Sequence, residues 1–101
     1  MFMKNILTTP FSVANDMAAR VKQRRLEQRI TQADLAKKAD LPLSTYRHFE
    51  QKGQISLRGL LQVAFVLGCL EDFRNVFTQR QWATLDDMLQ STTTKQRVRN
   101  D

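Results

Sequence analysis

The sequence predicts an all-α fold, and three features of the chain indicate it. Apolar residues recur at helical spacing along most of the chain. Helix-capping residues precede several of these segments, and glycine follows two of them. No convincing alternation of apolar and polar residues indicates a strand. We therefore expect one compact domain of five helices with a short C-terminal helical extension.

The first two helices are predicted from their caps. Ser12 can cap a helix that runs to about Arg29. Thr31 can cap a second helix, with Asp34 at the third helical position as in a capping box. The residues of the first helix expected to face inward are Met17, Val21 and Leu26.

The third and fourth helices are predicted from turn residues and apolar content. The third runs from about Leu43 to Gln51 and ends before Gly53. Ser56 caps the fourth, which Gly68 terminates. Apolar residues nearly encircle this fourth helix, so we expect one face to pack on the preceding helices and another on something else.

The C-terminal third of the chain contains two shorter helical signals. A fifth helix is expected at about 71–77, and Thr84 can cap a last short helix that belongs to the extension. Residues 91–101 contain one apolar residue, Val98, and are typical of a disordered basic tail.

Residues 31–53, TQADLAKKADLPLSTYRHFEQKG, have the layout of a helix-turn-helix. Two short helices are joined by a tight turn at Asp40, a residue that tolerates the left-handed conformation. Tyr46 and Phe49 lie on one face of the second of these helices, and polar residues lie on the others. A short polar helix braced by a capped partner can enter the DNA major groove.

The region from about Val21 to Gly68 resembles the XRE (phage-repressor-like) helix-turn-helix family. The matching segments are V-K-Q-R-R-L, T-Q-x-x-L-A, S-T-Y-R-H-F-E and G-Q-I-S-L-R-G-L-L-x-V-A-x-V-L-G. The resemblance implies a lambda-repressor-like domain that binds double-stranded operator DNA. Gln28 and Arg29 stand where relatives often have Leu and Gly, so the first helix is expected to end with a different cap. Leu43 stands where many relatives have a polar base-reading residue.

Basic charge is concentrated in the half of the chain that contains the motif and in the C-terminal tail. Residues 1–54 hold ten Lys or Arg and five Asp or Glu, whereas residues 55–94 hold three and four. Residues 95–101 hold three and one. This distribution suggests nucleic acid as the partner of the motif and protein contacts for the middle of the chain, although solvated helix faces would give the same charges.

The third helix carries the candidate base-reading side chains, and basic residues around it are candidates for phosphate contacts. The expected base-reading residues are Leu43, Ser44, Thr45, Arg47 and His48. Of these, the resemblance maps Leu43, Ser44 and His48 to base contacts. The resemblance also gives Gln32 a phosphate-anchoring or helix-bracing role. The other phosphate candidates are Lys52, Arg58, Arg24 and Lys22.

The resemblance assigns Arg25 and Glu50 to a partly buried ion pair between the first and third helices. Both residues are present in this chain. We expect the pair to orient the reading helix rather than to contact DNA.

The chain is expected to divide into four parts. Residues 1–11 form a flexible N-terminal arm, 12–77 the DNA-binding domain, 78–90 the C-terminal helical extension and 91–101 the tail. The apolar side chains of the C-terminal half exceed what a small domain can bury alone, so we expect a homodimer contact there. Its expected residues are Phe73, Phe77, Trp82, Leu85, Met88 and Leu89.

The composition gives no support to an enzyme. His48 is the only histidine, no cluster of metal-ligand residue types occurs, and neither a phosphate-binding glycine loop nor a dinucleotide fingerprint is present. We expect no catalytic residues, no metal and no cofactor. Cys69 is the only cysteine, so an intrachain disulfide is excluded. No apolar run could span a membrane and no convincing signal peptide begins the chain, so a cytoplasmic location is expected.

Two classes of function remain in competition. The first is a homodimeric transcriptional repressor on an inverted-repeat operator. Within it, the run FSVANDMAARVKQRR resembles the entry to HipB-type antitoxins, which implies autorepression and a kinase-like toxin as partner. A phage-type repressor or a restriction-modification controller has the same size. The second class is an interaction module that mainly holds a partner protein, such as a toxin kinase.

Overall fold

The computed structural model describes residues 8–79, which form an all-helical fold. In order along the chain it contains α1 (Pro10–Glu27), α2 (Gln32–Lys38), α3 (Leu43–Lys52) and α4 (Leu57–Leu67). A single 3-10 turn, Leu70–Phe73, follows α4. No strand occurs within these residues.

Helix α1 begins earlier than the sequence predicts. Thr9, not Ser12, is its N-cap, and Pro10 occupies the first turn, where a missing N–H costs nothing. Ser12 instead stands at the third helical position and completes a capping box. Its backbone N–H donates to Thr9 Oγ1 and its hydroxyl accepts from the Thr9 N–H, both at 3.0 Å.

The expected caps of α2 and α4 are confirmed. Thr31 Oγ1 accepts from the Asp34 N–H, and Ser56 Oγ accepts from the Gly59 N–H, each at 3.0 Å. Gly68 ends α4 in the left-handed conformation, with φ of 79°.

Helices α1 and α2 end with the same hydrogen bonds as α4, although neither has glycine at the turn. Arg29 and Asp40 both have φ of 59°, in the left-handed region. After α1, the Arg29 N–H donates to the Leu26 carbonyl and the Ile30 N–H to the Arg25 carbonyl, which is the Schellman pattern. Arg29 therefore takes the left-handed position that glycine takes after α4, with the same backbone bonds.

The prediction of a fifth α-helix at 71–77 is wrong. After the 3-10 turn, the backbone bonds join residues three apart, as from Arg74 N–H to Glu71 O and from Val76 N–H to Phe73 O. Phe77 has φ of 70°, which ends any helical path. Helix α2 is equally short but buries Leu35 and Ala36, whereas Leu70–Phe73 buries no side chain, so packing does not offset the cost of nucleating an α-helix here. The described residues therefore contain four α-helices, and the helix expected after Thr84 lies outside them.

The core lies where α2, α3 and α4 meet the inner face of α1. Tyr46, Leu35 and Val63 are fully buried, and Phe49 is nearly so. The ring of Tyr46 meets that of Phe49 edge to face, with centroids 6.2 Å apart. The remaining buried members of the core cluster are Ala18, Ala36, Ala39 and Leu67.

Two expectations about buried faces require correction or refinement. Leu26 of α1, expected to face inward, is 54% exposed because its neighbour Arg25 occupies the inward position. Helix α4 buries Val63 and Ala64, while Phe65 is 70% exposed. Leu57 and Phe65 therefore leave apolar surface of α4 uncovered within the described residues.

Gly53 fixes how the end of α3 meets α1. It has φ of 72°, and a Cβ atom added there would lie 3.1 Å from the backbone carbonyl of Ala14. Both the conformation and the space therefore require glycine. This close approach sets the position of α3 on the surface of the domain.

Candidate nucleic-acid interface

Helix α3 presents a polar face to solvent opposite its buried face. Ser44, Arg47 and His48 are exposed, and they follow one another at helical spacing on the side away from Tyr46 and Phe49. The structure therefore brings three of the expected base-reading residues onto one accessible surface.

The two other expected base-reading residues, Leu43 and Thr45, are half-buried. Leu43 packs against the core cluster and borders a shallow groove with Ala36 and Leu41. Part of its side chain is thus used for packing at the start of α3.

Arg25 and Glu50 form an ion pair beneath this surface. Arg25 Nε donates to Glu50 Oε2 at 2.7 Å and Arg25 Nη2 donates to Oε1 at 3.3 Å. The two side chains are only 8% and 4% exposed. Arg25 Nη1 also donates to the Ile30 carbonyl at 2.8 Å, so the guanidinium connects α1, the following turn and α3.

Two further side chains complete the surroundings of Glu50. The Tyr46 hydroxyl donates to Oε2, and Gln32 Nε2 donates to Oε1 at 2.9 Å. Four donors from three residues therefore hold one carboxylate. A buried charge needs such bonds, because it has lost the water that would otherwise solvate it.

The pKa values of this cluster follow from burial and hydrogen bonding. Burial raises the pKa of the Glu50 carboxyl, but the bonds from Arg25, Tyr46 and Gln32 outweigh it and hold that pKa below its usual range. The hydrogen bond to Glu50 raises the pKa of Arg25. Burial, and then the adjacent carboxylate, raise the pKa of Tyr46. The cluster is therefore an ion pair with a neutral phenol at neutral pH.

Gln32, expected at a phosphate or in a bracing role, is half-buried and bonded to α3. Besides its bond to Glu50, its Oε1 accepts from Arg47 Nε at 3.3 Å. The structure thus joins an expected phosphate residue to an expected base-reading residue.

His48 makes a contact that the sequence did not indicate. Its Nε2 lies 2.8 Å from Oε1 of Gln54, in the turn between α3 and α4. A residue pair six positions apart across a turn has no periodic signal, so sequence reasoning could not find Gln54. The contact places an amide beside the exposed polar face of α3.

The basic phosphate candidates are all exposed, but they lie in different places. Lys52 is in the last turn of α3, and Arg58 is in the first turn of α4 beside Lys38 and Asp40. Lys22 and Arg24 project from α1, where Arg24 Nη2 donates to Glu27 at 3.0 Å. Lys52 is therefore the candidate on the reading helix itself.

The expected dimer residues are only partly within the described chain. Phe73 is half-buried, and Phe77 is fully exposed next to Val76, which is 51% exposed. An apolar cavity of about 270 Å³ opens between α1 and α4 beside Phe73 and Val76. The remaining four expected residues, Trp82, Leu85, Met88 and Leu89, lie outside the described residues.

The described residues contain neither a metal-binding cluster nor a membrane-spanning helix. Residues 8–79 contain no group of three His, Cys, Asp or Glu side chains placed to hold a metal ion. Among the helices described, none combines the length and apolar character that crossing a membrane requires.

The fold and this surface define a helix-turn-helix protein. Residues 21–72 match a family model described as helix-turn-helix, and the chain belongs to that family, in its XRE branch. Comparisons with curated proteins and with solved structures gave no match. Membership indicates a DNA-binding transcription regulator, and a regulatory domain of this kind is not typically enzymatic.

Proposed function

We propose that this protein is a cytoplasmic, sequence-specific transcriptional repressor that binds an inverted-repeat operator as a homodimer. One observation carries the proposal. Helix α3 has a polar, exposed face of Ser44, Arg47 and His48, and its opposite face is fixed to the domain by the buried bonds of Glu50. A reading helix needs both properties, since it must reach base edges and hold a fixed orientation while it does so.

The proposed DNA contacts divide by what they touch. Exposed residues at the start and middle of α3 read base edges, and Leu43 packs on a thymine methyl group at the rim. Lys52, Arg58, Lys22 and Arg24 neutralise phosphates, which gives affinity without sequence information. Two such surfaces, related by a two-fold axis, would read two half-sites.

The proposed dimer contact lies after α4. Phe77 and Val76 expose apolar surface there, and the sequence that follows holds Trp82, Leu85, Met88 and Leu89. Burial of such a surface by a second copy is favourable, and contiguous exposed apolar patches mark interaction sites. We retain the proposed division of the chain into a DNA-binding domain (12–77), a C-terminal helical extension that carries the dimer contact (78–90) and a basic tail (91–101).

Within this function we favour an antitoxin that represses its own operon and binds a kinase-like toxin. The support is the resemblance of the run FSVANDMAARVKQRR to HipB-type antitoxins. A toxin-like neighbouring gene and tight co-purification of its product would support this. A neighbouring phage or restriction-modification gene would favour the phage-type repressor or the controller instead.

The second candidate function is an interaction module that mainly holds a partner protein. The apolar surface of α4 favours it, since Leu57 and Phe65 are 71% and 70% exposed. Such a module would bind DNA only through charge.

The test is selection of preferred sites by the full-length protein from a pool of randomised duplexes. The proposal expects an inverted repeat to be enriched. The protein should bind it about 10³-fold or more tighter than it binds a scrambled duplex. If no sequence were enriched, and rising salt weakened binding to all duplexes equally, the result would contradict the repressor and favour the interaction module.

A further inference from the structure

Gln32 links the buried ion pair to the surface of the reading helix. Its Nε2 donates to Glu50 Oε1 at 2.9 Å and its Oε1 accepts from Arg47 Nε at 3.3 Å. A carboxylate only accepts hydrogen bonds, so the amide nitrogen of Gln32 must face Glu50. The carbonyl oxygen of the same amide is then fixed toward Arg47.

Arg47 donates to Gln32 through only one part of its guanidinium, the Nε–H group. Nε–H is occupied, and within residues 8–79 neither terminal nitrogen of Arg47 has a hydrogen-bond partner. The two terminal nitrogens are therefore presented end-on to solvent. An end-on guanidinium offers two parallel N–H donors, which match the O6 and N7 acceptors of guanine in the major groove.

We infer that Gln32 is a positioning residue that holds Arg47 end-on for recognition of a guanine in each operator half-site. The inference rests on the proposed function. Glu50, itself held by Arg25 and Tyr46, fixes Gln32, and Gln32 fixes Arg47. An exposed arginine without this bond samples many rotamers, and ordering it on binding opposes the contact. The buried pair thereby serves recognition as well as folding.

The experiment uses an operator selected by the wild-type protein from randomised duplexes. Each guanine in turn is replaced by 7-deazaguanine, which lacks the N7 acceptor. For the wild type, one replacement in each half-site should weaken binding about tenfold or more. Arg47→Ala should be insensitive to that replacement, because alanine has no side-chain donor for guanine N7.

Gln32→Met is the decisive variant, since it keeps the side-chain length and removes both hydrogen bonds. It should lose most of the sensitivity to the same guanine, and the double variant with Arg47→Ala should lose no more than Arg47→Ala alone. Gln23→Met is the matched control, because Gln23 is exposed on α1, outside the motif, and donates to Glu27 of the same helix. It should keep the wild-type sensitivity. Circular dichroism would establish that each variant is folded at the assay temperature.

An independent readout needs no DNA. Nuclear magnetic resonance of the free protein should show an Arg47 Nε–H protected from exchange with water, and Gln32→Met should remove that protection.

Several results would overturn the inference. Full guanine sensitivity in Gln32→Met would do so, as would additive effects of the two substitutions. Equal weakening by Arg47→Ala on every duplex would instead show that Arg47 contacts a phosphate. If the wild type enriched no sequence, the proposed function would fail and this inference with it.

Discussion

At the scale of single residues, the carboxylate of Glu50 organises the domain. It accepts two bonds from Arg25, one from Tyr46 and one from Gln32, so donors from three elements converge on two oxygens. Replacing such a group of charges by apolar residues can be neutral, but removing one partner leaves an uncompensated buried charge. The network is therefore sensitive to single substitutions.

Arg25→Ala should destabilise the fold by roughly 3 kcal/mol, the range for breaking a buried pair. Arg24→Ala is the matched control, because the adjacent arginine makes only a half-exposed bridge to Glu27 and should change the free energy of unfolding by about 0.5 kcal/mol or less. Urea unfolding of both variants measures the difference. Equal stabilities for the two variants would contradict the structural role given to Arg25.

The same network predicts a pH dependence of stability. Hydrogen bonds hold the folded-state pKa of Glu50 below its usual range, so Glu50 binds protons more readily in the unfolded chain. The stabilisation is fully present above the ordinary pKa of about 4.3 and is lost as pH falls through the lower, folded-state value.

Glu50→Gln provides the comparison, since its side chain has a similar shape and does not ionise. The wild type should be more stable than Glu50→Gln at pH 7, and the difference in unfolding free energy should narrow progressively below about pH 4. Thermal or urea unfolding between pH 3 and 7 would measure it. A difference that stays constant over this range would show that Glu50 is not a paired carboxylate in the folded protein.

At the scale of secondary-structure elements, local signals predict helix ends well where one residue determines the geometry. Thr31 and Ser56 cap their helices, and Gly68 ends α4, as the sequence indicates. The start of α1 could not be fixed in this way, because Thr9 and Ser12 are both good capping residues and belong to one capping box. The fifth helix was mispredicted because apolar spacing over seven residues does not reveal a left-handed residue such as Phe77.

The sequence predicts which residues of the candidate site share a helix face, but not which residues of other helices they contact. Helical spacing places Ser44, Arg47 and His48 on the face opposite Tyr46, as the structure has them. Spacing within one helix contains no information about partners on another. The bond that Arg47 donates to Gln32 joins residues 15 positions apart on two helices, so only the three-dimensional structure reveals it.

A helix end can require glycine for its left-handed conformation or for lack of space around a Cβ atom, and Gly53 and Gly68 separate these two reasons. Both have left-handed conformations, but a Cβ atom at Gly68 would meet nothing within 4 Å. Gly68→Ala should therefore cost about 1 kcal/mol, for conformation alone. Gly53→Ala adds a close contact with the Ala14 backbone and should cost roughly 2–4 kcal/mol. Comparable destabilisation of the two variants in chemical denaturation would show that α3 does not approach α1 so closely.

At the scale of the whole molecule, the helix-turn-helix motif and the segment after α4 differ in chemistry. The motif presents charged and polar groups, whereas the segment after α4 exposes Val76 and Phe77. This separation would allow one surface to meet DNA while the other meets a second copy.

The proposed dimer predicts that Leu85→Asp combined with Leu89→Asp will give monomers, because two charges would have to be buried in an apolar contact. Val98→Asp is the control, since it makes the same kind of change in the tail and should leave the dimer intact. Sedimentation equilibrium measures the mass directly. A dimer of unchanged affinity after both leucine changes would move the interface elsewhere.

The central claim is that α3 reads bases while the basic residues around it contact phosphates. A base edge differs between DNA sequences and a phosphate does not. Substitutions of base-reading residues should therefore reduce the preference for the operator, whereas substitutions of phosphate contacts should weaken binding to every sequence. Ser44→Ala and His48→Ala should each narrow the gap in binding free energy between operator and scrambled duplex, by about 1–3 kcal/mol where the side chain reads a base. Lys52→Ala should weaken binding to both duplexes and lower the salt slope by about one.

The most direct test is the binding of these variants to both duplexes across a salt series, with Arg74→Ala as the control. Arg74 is an exposed basic residue outside the motif, bonded to Glu71, and removing its side chain should change neither the gap nor the slope. The account predicts a smaller gap for the α3 variants and an unchanged gap with a lower slope for Lys52→Ala. Full discrimination by both Ser44→Ala and His48→Ala would contradict it, because the exposed face of α3 would then not be reading bases.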